Sequence, residues 1–145
     1  YTVSAFDVTA SGIEKGRQLA DLHRTEVDFF QADLLNYQPE SIFDIVFSSG
    51  VLQYIPPTER RRVLDGYKAH TAVGGIHVLN VFVDKPFLPV PPDWEEGEAF
   101  WSSGELLSCY ADWKTEQLEE RIFDCDSSGI PHQHCMDVLI ARKMV

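Results

Sequence analysis

The first half of the chain switches between short apolar runs and stretches with helical spacing, and that switching predicts strands alternating with helices. Residues 1–8 are rich in Val, Phe and Tyr, as in a strand buried on both faces. Ser11 with Glu14 forms a capping-box signature, and Ile13, Gly16, Leu19, Ala20 and His23 recur at helical spacing, so a helix is expected over 12–24. A second strand is expected over 26–32, closed by Asp33, and a loop from Asn36 to Ser41 carries Pro39. Residues 42–48, Ile-Phe-Asp-Ile-Val-Phe-Ser, are the strongest buried-strand segment, ended by the turn Ser48-Ser49-Gly50. Pro56-Pro57 introduces a helix over about 58–72, Gly74-Gly75 stops it, and Ile76 to Val83 reads as a fourth strand.

The pattern then changes. Residues 84–101 hold four prolines, five acids and two tryptophans, which predicts a long ordered loop or lid. Ser102 with Glu105 repeats the capping-box signature and opens a short helix through Tyr110. Two final strands, about 114–124 and 134–142, are joined by Asp126-Ser127-Ser128-Gly129. That join is too short for a crossover helix, so the two strands must be antiparallel neighbours.

Length and composition narrow the function classes. A chain of 145 residues suits a single domain spanning 1–145 with a sizeable core, and 44% hydrophobic with 24% charged residues is ordinary for a globular protein. The net charge of -11 opposes a nucleic-acid partner, because phosphates would be repelled. No apolar run is long enough to cross a membrane, and no basic, apolar-cored leader starts the chain. Arg60-Arg61-Arg62 is the only basic cluster and is expected to form a solvated helix face. Three cysteines without a Cys-x-x-Cys pair favour a reducing cytoplasm. Cys125, His132, His134 and Cys135 match no common zinc spacing, and His134 and Cys135 point to opposite faces of a strand. Ordinary strand packing, with no metal, is therefore the expectation.

The chemistry-bearing residues sit at strand ends. Asp7 closes the first strand, where nucleotide-binding α/β sheets place the acid that holds a ribose, yet no glycine-rich loop precedes it. Dinucleotide-binding sheets continue with further parallel strand–helix units, whereas this chain finishes on a reversed pair. That layout resembles class I methyltransferases that use S-adenosylmethionine. Phe6-Asp7-Val8 is similar to the family's second strand with its ribose-binding acid, and Ala32-Asp33-Leu34-Leu35 to the residues that edge the adenine. Phe43 to Ile55 resembles the fourth strand and the loop beneath the methyl group, with Ser49 and Tyr54 where sulfonium and nucleophile would meet. Gly74-Gly75 before a strand and the closing Leu139-Ile140-Ala141-Arg142-Lys143 are further habits of that family.

Within the superfamily the chain looks most like the small tellurite-resistance-type methyltransferases. Pro89-Val90-Pro91, Gly104-Glu105-Leu106, Tyr110-Ala111-Asp112-Trp113-Lys114 and Glu119-Glu120 carry that likeness. Two departures stand beside it. Phe123-Asp124 replaces a basic pair found in some of those proteins, which argues against an oxyanion substrate such as tellurite. The Asp/Glu-x-Gly-x-Gly loop, with its strand and helix, does not occur in the sequence.

The resemblance implies a Rossmann-like α/β three-layer sandwich, mostly parallel, with an antiparallel C-terminal strand pair and its first strand missing. It implies methyl transfer from S-adenosylmethionine to a small-molecule acceptor, in a fragment impaired in cofactor binding. The expected cofactor contacts are Asp7, Val8, Asp33, Leu34, Ser49 and Tyr54. Taken alone, these residues admit plainer readings. Asp7 also fits an acid beside a positive helix terminus, Asp33 a solvated strand-end acid, and Tyr54 a half-buried aromatic.

Displacement at a sulfonium needs alignment rather than an obligate acid or base, so no nucleophile–His–Asp arrangement is required. For an amine or hydroxyl acceptor, His132, His134 and Asp124 are the only nearby bases. Trp94, Phe100 and Trp101 of the lid would wall the substrate. The competing expectation is a non-catalytic module of the same fold, forming a homodimer through exposed sheet edges. A nicotinamide-linked enzyme is a weaker third, opposed by the antiparallel final pair.

Overall fold

The computed structural model describes residues 1–145, which form two compact units, Tyr1–Gln38 and Pro39–Val145. The first unit is one strand–helix–strand turn. Strand β1 (Ser4–Asp7) pairs in parallel with β2 (Asp28–Gln31), and helix α1 (Ala10–His23) connects them. Phe6, Phe30 and Tyr37 cluster with ring centroids 5.0–5.6 Å apart.

The cap of α1 differs from the expected one. Thr9 is the N-cap, with extended backbone and a hydroxyl that accepts from the Gly12 N–H at 3.0 Å. Ser11 already lies inside the helix, and its hydroxyl only donates back to Thr9 at 3.3 Å. At the other end, Arg24 adopts the left-handed conformation, φ 53°, that ends many helices.

The second unit is a four-stranded sheet in the order β3-β4-β6-β5, where β3 is Phe43–Ser48, β4 Thr71–Phe82, β5 Lys114–Cys125 and β6 His132–Arg142. The β3–β4 ladder is parallel; the β4–β6 and β5–β6 ladders are antiparallel. Helix α2 (Arg60–Ala69) links β3 to β4, and the short α3 (Glu105–Ser108) precedes β5. The mixed α/β architecture and the antiparallel closing pair expected from the sequence are both present, but this sheet is mixed and not mostly parallel, with one parallel ladder and two antiparallel ones.

One face of this sheet holds the core. Alternate residues of β4 and β6 are buried, with Leu79 directly opposite Leu139, and His77 opposite Ala141. Val63 and Leu64 of α2 and the fully enclosed Leu106, Trp101 and Tyr110 complete it. Each such side chain stabilises by about 1.5–3 kcal/mol relative to exposure.

Three expectations are corrected. Strand β3, the segment expected to be most buried, is an edge of its sheet, and Phe47 is 71% exposed. Apolar content drives a strand towards burial only where a neighbour covers it. The glycines 74–75 do not end α2; His70 is its C-cap, and both glycines lie inside β4. There the ladder steps from Phe43↔Thr71 to Ile45↔Ile76, a bulge that Gly74 accommodates with φ 82°. A Cβ on Gly75 would meet Ala72 O and Asp44 O at 2.9 Å. Gly75→Ala is expected to lower stability by about 1–3 kcal/mol through overpacking, read in a thermal melt.

The third correction concerns Arg60-Arg61-Arg62. Arg61 and Arg62 are exposed, whereas Arg60 is only 3% exposed. Its guanidinium is held by both carboxylate oxygens of Glu105 at 2.9 Å and donates to the carbonyls of Ala99 and Phe100 at 3.0 and 2.9 Å. It also lies 4.2 Å over the Trp101 ring. Glu105 also accepts from the Ser102 N–H at 2.9 Å, but Ser102 does not cap α3 as expected: Gly104 is the N-cap, with no side-chain cap bond, and the helix ends at Ser108 and not at Tyr110.

Residues 84–100 carry neither helix nor strand. The segment ends at Trp101, which pairs with Val83 and donates its indole N–H to Leu52 O at 3.2 Å. Trp101 is fully buried, so it belongs to the core and not to a wall facing substrate. Trp94 and Phe100 stack on each other instead, with centroids 3.7 Å apart.

Candidate cofactor site

The expected site residues divide between the units: Asp7, Val8, Asp33 and Leu34 belong to the first, Ser49 and Tyr54 to the second. In the first unit, parallel pairing sets Asp7 opposite Gln31, and the Ala32 N–H donates to Asp7 O at 3.1 Å. Asp7 and Asp33 therefore stand at the carboxyl ends of adjacent parallel strands, the edge where open α/β sheets bind ligands.

Asp7 faces the start of α1. Its Oδ1 accepts from both the N–H and the hydroxyl of Thr9 at 2.7 Å, and these bonds hold its carboxyl below the usual range. Both bonds fall on Oδ1, which leaves Oδ2 to accept from a ligand hydroxyl. Gly12 is the reason the helix can approach so closely. A Cβ there would lie 2.4 Å from the Asp7 Cγ. Asp33 is tied more fully, with Oδ1 accepting from Leu35 N–H at 2.9 Å and Oδ2 from the Asn36 amide at 2.7 Å. Val8 is 61% exposed, and Gln31 fixes its carbonyl through a 2.8 Å hydrogen bond. Leu34 is half-buried.

In the second unit, β3 ends at Ser48, and Gly50 turns the chain with φ 67°. Asn80 of β4 holds that turn: its amide donates to Ser49 Oγ at 2.8 Å, and its carbonyl oxygen accepts from Gly50 N–H at 3.0 Å. Gln53 is buried and donates to Gly50 O at 2.8 Å, while its own Oε1 is buried without a partner. Sequence reasoning missed both residues. The signal for Asn80 was a polar residue within an apolar strand, one step beyond the position that pairs with Ser48. Tyr54 is 44% exposed, and its phenol is pushed up by burial and by the neighbouring Glu98 and Glu95. A neutral phenol donates a hydrogen bond and does not act as a base near pH 7.

The three residues considered as bases have other surroundings. Asp124 accepts from the Gln133 amide at 2.9 Å on the exposed side of the hairpin. His132 and His134 face Asp93 and each other. Two surface depressions, one beside Leu88 and His134 and one at the amino ends of β1 and β2, include none of the expected cofactor residues. No helix is long and apolar enough to cross a membrane.

Comparison with known proteins decides the family. The methyltransferase-domain family model matches residues 1–75. The chain belongs to that family. Its fold is that of class I methyltransferases, as solved structures show. TehB from Haemophilus influenzae is 18% identical, with a TM-score of 0.85 over 99% of this chain and 50% of its own. The N-methyltransferase NodS from Bradyrhizobium japonicum, solved with S-adenosyl-L-homocysteine, is 17% identical, with a TM-score of 0.72 over 98% of this chain and 66% of its own. Magnesium protoporphyrin IX methyltransferase from Synechocystis, with the same ligand, is 12% identical, with a TM-score of 0.72 over 98% of this chain and 64% of its own. The chain thus spans half the length of the TehB chain it matches. No curated protein matches the sequence.

Proposed function

We propose that this chain is the methyltransferase portion of a small-molecule methyltransferase that takes its methyl group from S-adenosylmethionine. The observation that carries the reading is the Asp7 carboxylate, aligned by Thr9 at the carboxyl end of a parallel strand with one oxygen uncommitted. Asp7 accepts the ribose hydroxyls as charge-assisted hydrogen bonds. Asp33 accepts the adenine amino group, and Val8 and Leu34 pack on the ring. Ser49 and Tyr54 serve the methyl-bearing end. The family model matches residues 1–75 and so includes residues of both units, which favours reading 1–145 as one domain; the 84–101 segment is read as its lid.

The mechanism needs little from side chains beyond placement. The carbon–sulfur bond of the sulfonium breaks as the acceptor attacks the methyl carbon in line, so alignment and exclusion of water supply the rate. The raised phenol of Tyr54 suits it to orient an acceptor rather than to deprotonate it. No Gly-x-Gly run occurs in residues 1–145, so contacts to the amino-acid end of the cofactor are few and binding by this chain is weak.

NMR titration with S-adenosylhomocysteine reads weak binding residue by residue. Amide shifts are expected at the six named residues. Asp7→Ala should weaken binding about 10-fold to 100-fold, the worth of hydrogen bonds to a charged group. Gly12→Ala should weaken it as well, because its methyl group displaces the carboxylate. Shifts confined to other residues, or an Asp7→Ala variant that binds as well as the parent, would sink the assignment.

A second reading rests on the exposed edge strand β3, where Phe47 and Ile45 are 71% and 44% exposed. Such an edge invites pairing with a second copy. A concentration-independent monomer in sedimentation would dismiss a homodimer built there.

A further inference from the structure

The open end of the β5–β6 hairpin gathers donor atoms that packing alone does not explain. Cys125 is the last residue of β5 and His132 the first of β6, and the register pairs them directly. Directly opposed residues share a face, and His134 lies on that face two positions along. Asp93 arrives from the 84–101 loop. The ligand atoms of Asp93, Cys125, His132 and His134 all lie within 4.8 Å of one another. Cys135 points the other way, into the core.

One of the close contacts sets an acceptor against an acceptor. His132 Nδ1 lies 2.7 Å from Ile130 O, and a carbonyl only accepts, so Nδ1 carries the proton of the neutral ring and Nε2 presents a lone pair. That lone pair faces Asp93 Oδ1 at 3.0 Å and His134 Nε2 at 2.9 Å. His134 Nε2 is in turn 3.5 Å from the same oxygen. Asp93 Oδ1 is buried and has no hydrogen-bond donor. Two imidazole nitrogens and a carboxylate oxygen thus converge on one point and ask for a cation there.

We propose that Asp93, Cys125, His132 and His134 form a zinc site that fastens the 84–101 loop to the β5–β6 hairpin. The donor set is two nitrogens, one oxygen and one sulfur, which suits tetrahedral zinc. The edges of a tetrahedron with zinc–nitrogen and zinc–oxygen bonds near 2.0–2.1 Å are about 3.3 Å. The three contacts among Asp93, His132 and His134, 2.9–3.5 Å, bracket that value. Cys125 Sγ closes the fourth position by a small side-chain rotation.

Outer partners hold three of the four ligands, while His134 Nδ1 is buried without one. The Ile130 carbonyl orients His132, and the Ser127 hydroxyl donates to Asp93 Oδ2 and lies 3.2 Å from Cys125 Sγ. Both histidine side chains are nearly enclosed, at 5% and 6% exposure, while Asp93 and Cys125 are half-buried on the outer side of the cluster. Cys109 and Cys135 are poor competitors, because burial pushes their thiols up. The inference stands independently of methyl transfer. It departs from the expectation of plain strand packing because neither Asp93 nor the hairpin register is visible in local spacing.

Zinc alone is the probe. Competition with a chromophoric chelator should give one tightly held zinc per chain, and zinc should raise the melting temperature. Cys125→Ser, His132→Gln and Asp93→Asn should each lower zinc affinity about 100-fold or more, and Ser127→Ala about 10-fold. Cobalt in place of zinc should show a thiolate charge-transfer band that Cys125→Ser removes and Cys109→Ser keeps. The cobalt spectrum holds the test open even where a variant melts early. Absence of one-to-one zinc binding in the parent chain overturns the proposal. So does zinc binding that survives Cys125→Ser and Asp93→Asn unchanged.

Discussion

Replacing Arg60 with alanine is expected to destabilise the 39–145 unit by about 3–5 kcal/mol, the cost of breaking a buried ion pair from one side. The guanidinium is almost wholly enclosed, and it satisfies the Glu105 carboxylate and the carbonyls of residues 99 and 100 at once. Removing it leaves two carbonyls without this donor and an anion without its counter-charge, and takes the cation from the face of Trp101. Lysine should rescue only part of the loss, since an ammonium cannot span both Glu105 oxygens and the two carbonyls. Arg61→Ala and Arg62→Ala should stay within about 0.5 kcal/mol, because both side chains are solvated and the Arg62–Glu59 pair is exposed. Urea unfolding of the three variants makes the comparison. Equal, small effects at all three positions would restore the solvated-face reading of the cluster.

Arg60 also shows which parts of the fold could be read in advance. Its fate depends on Glu105 and on residues 99–101, about forty positions away, and no local pattern carries that information. The β5–β6 pairing was legible because so short a join, residues 126–131, is a local constraint that forbids a crossover. Asp7 and Asp33 were legible as strand-end acids because strand ends are marked by local composition. The edge position of β3 was not, since a buried strand and an apolar edge strand share one sequence pattern. Gly74-Gly75 misled for a related reason: glycine marks positive φ equally at a helix end and at a bulge. Asn80 and Gln53 act across strands and turns, through Ser49, Gly50 and Glu98, so only the assembled register reveals them. The Asp93–Cys125–His132–His134 cluster belongs to the same class, joining a loop to a hairpin whose facing residues follow from register.

Acid should weaken this protein through His77 before most carboxylates titrate. His77 is fully buried between Thr71 and Tyr110, with Nε2 2.8 Å from Thr71 Oγ1 and Nδ1 2.7 Å from Tyr110 Oη. The Thr71 hydroxyl gives its one proton to Tyr67 O at 2.8 Å, so it accepts from His77 Nε2–H, and Nδ1 accepts from the tyrosine. That network fixes a neutral ring. Burial, reinforced by Lys68 and Lys143, pushes its pKa from 6.5 down to about 3. A depressed pKa means the unfolded chain binds the proton first as pH falls. The stability held by the neutral ring is complete above pH 6.5 and is lost progressively towards pH 3, at about 1.4 kcal/mol per pH unit. By pH 4 the loss is about 3 kcal/mol. His77→Gln keeps a donor and an acceptor but does not titrate. It should cost about 1–3 kcal/mol at pH 7 and then lose less between pH 6.5 and pH 4 than the parent. Taking the difference between the two proteins cancels the carboxylates paired with lysine and arginine, such as Asp112 and Glu116, whose depressed pKa values act in both chains. Parallel stability curves across that window would mean that the folded state protonates His77 as easily as the unfolded one, and the neutral network would have to be abandoned.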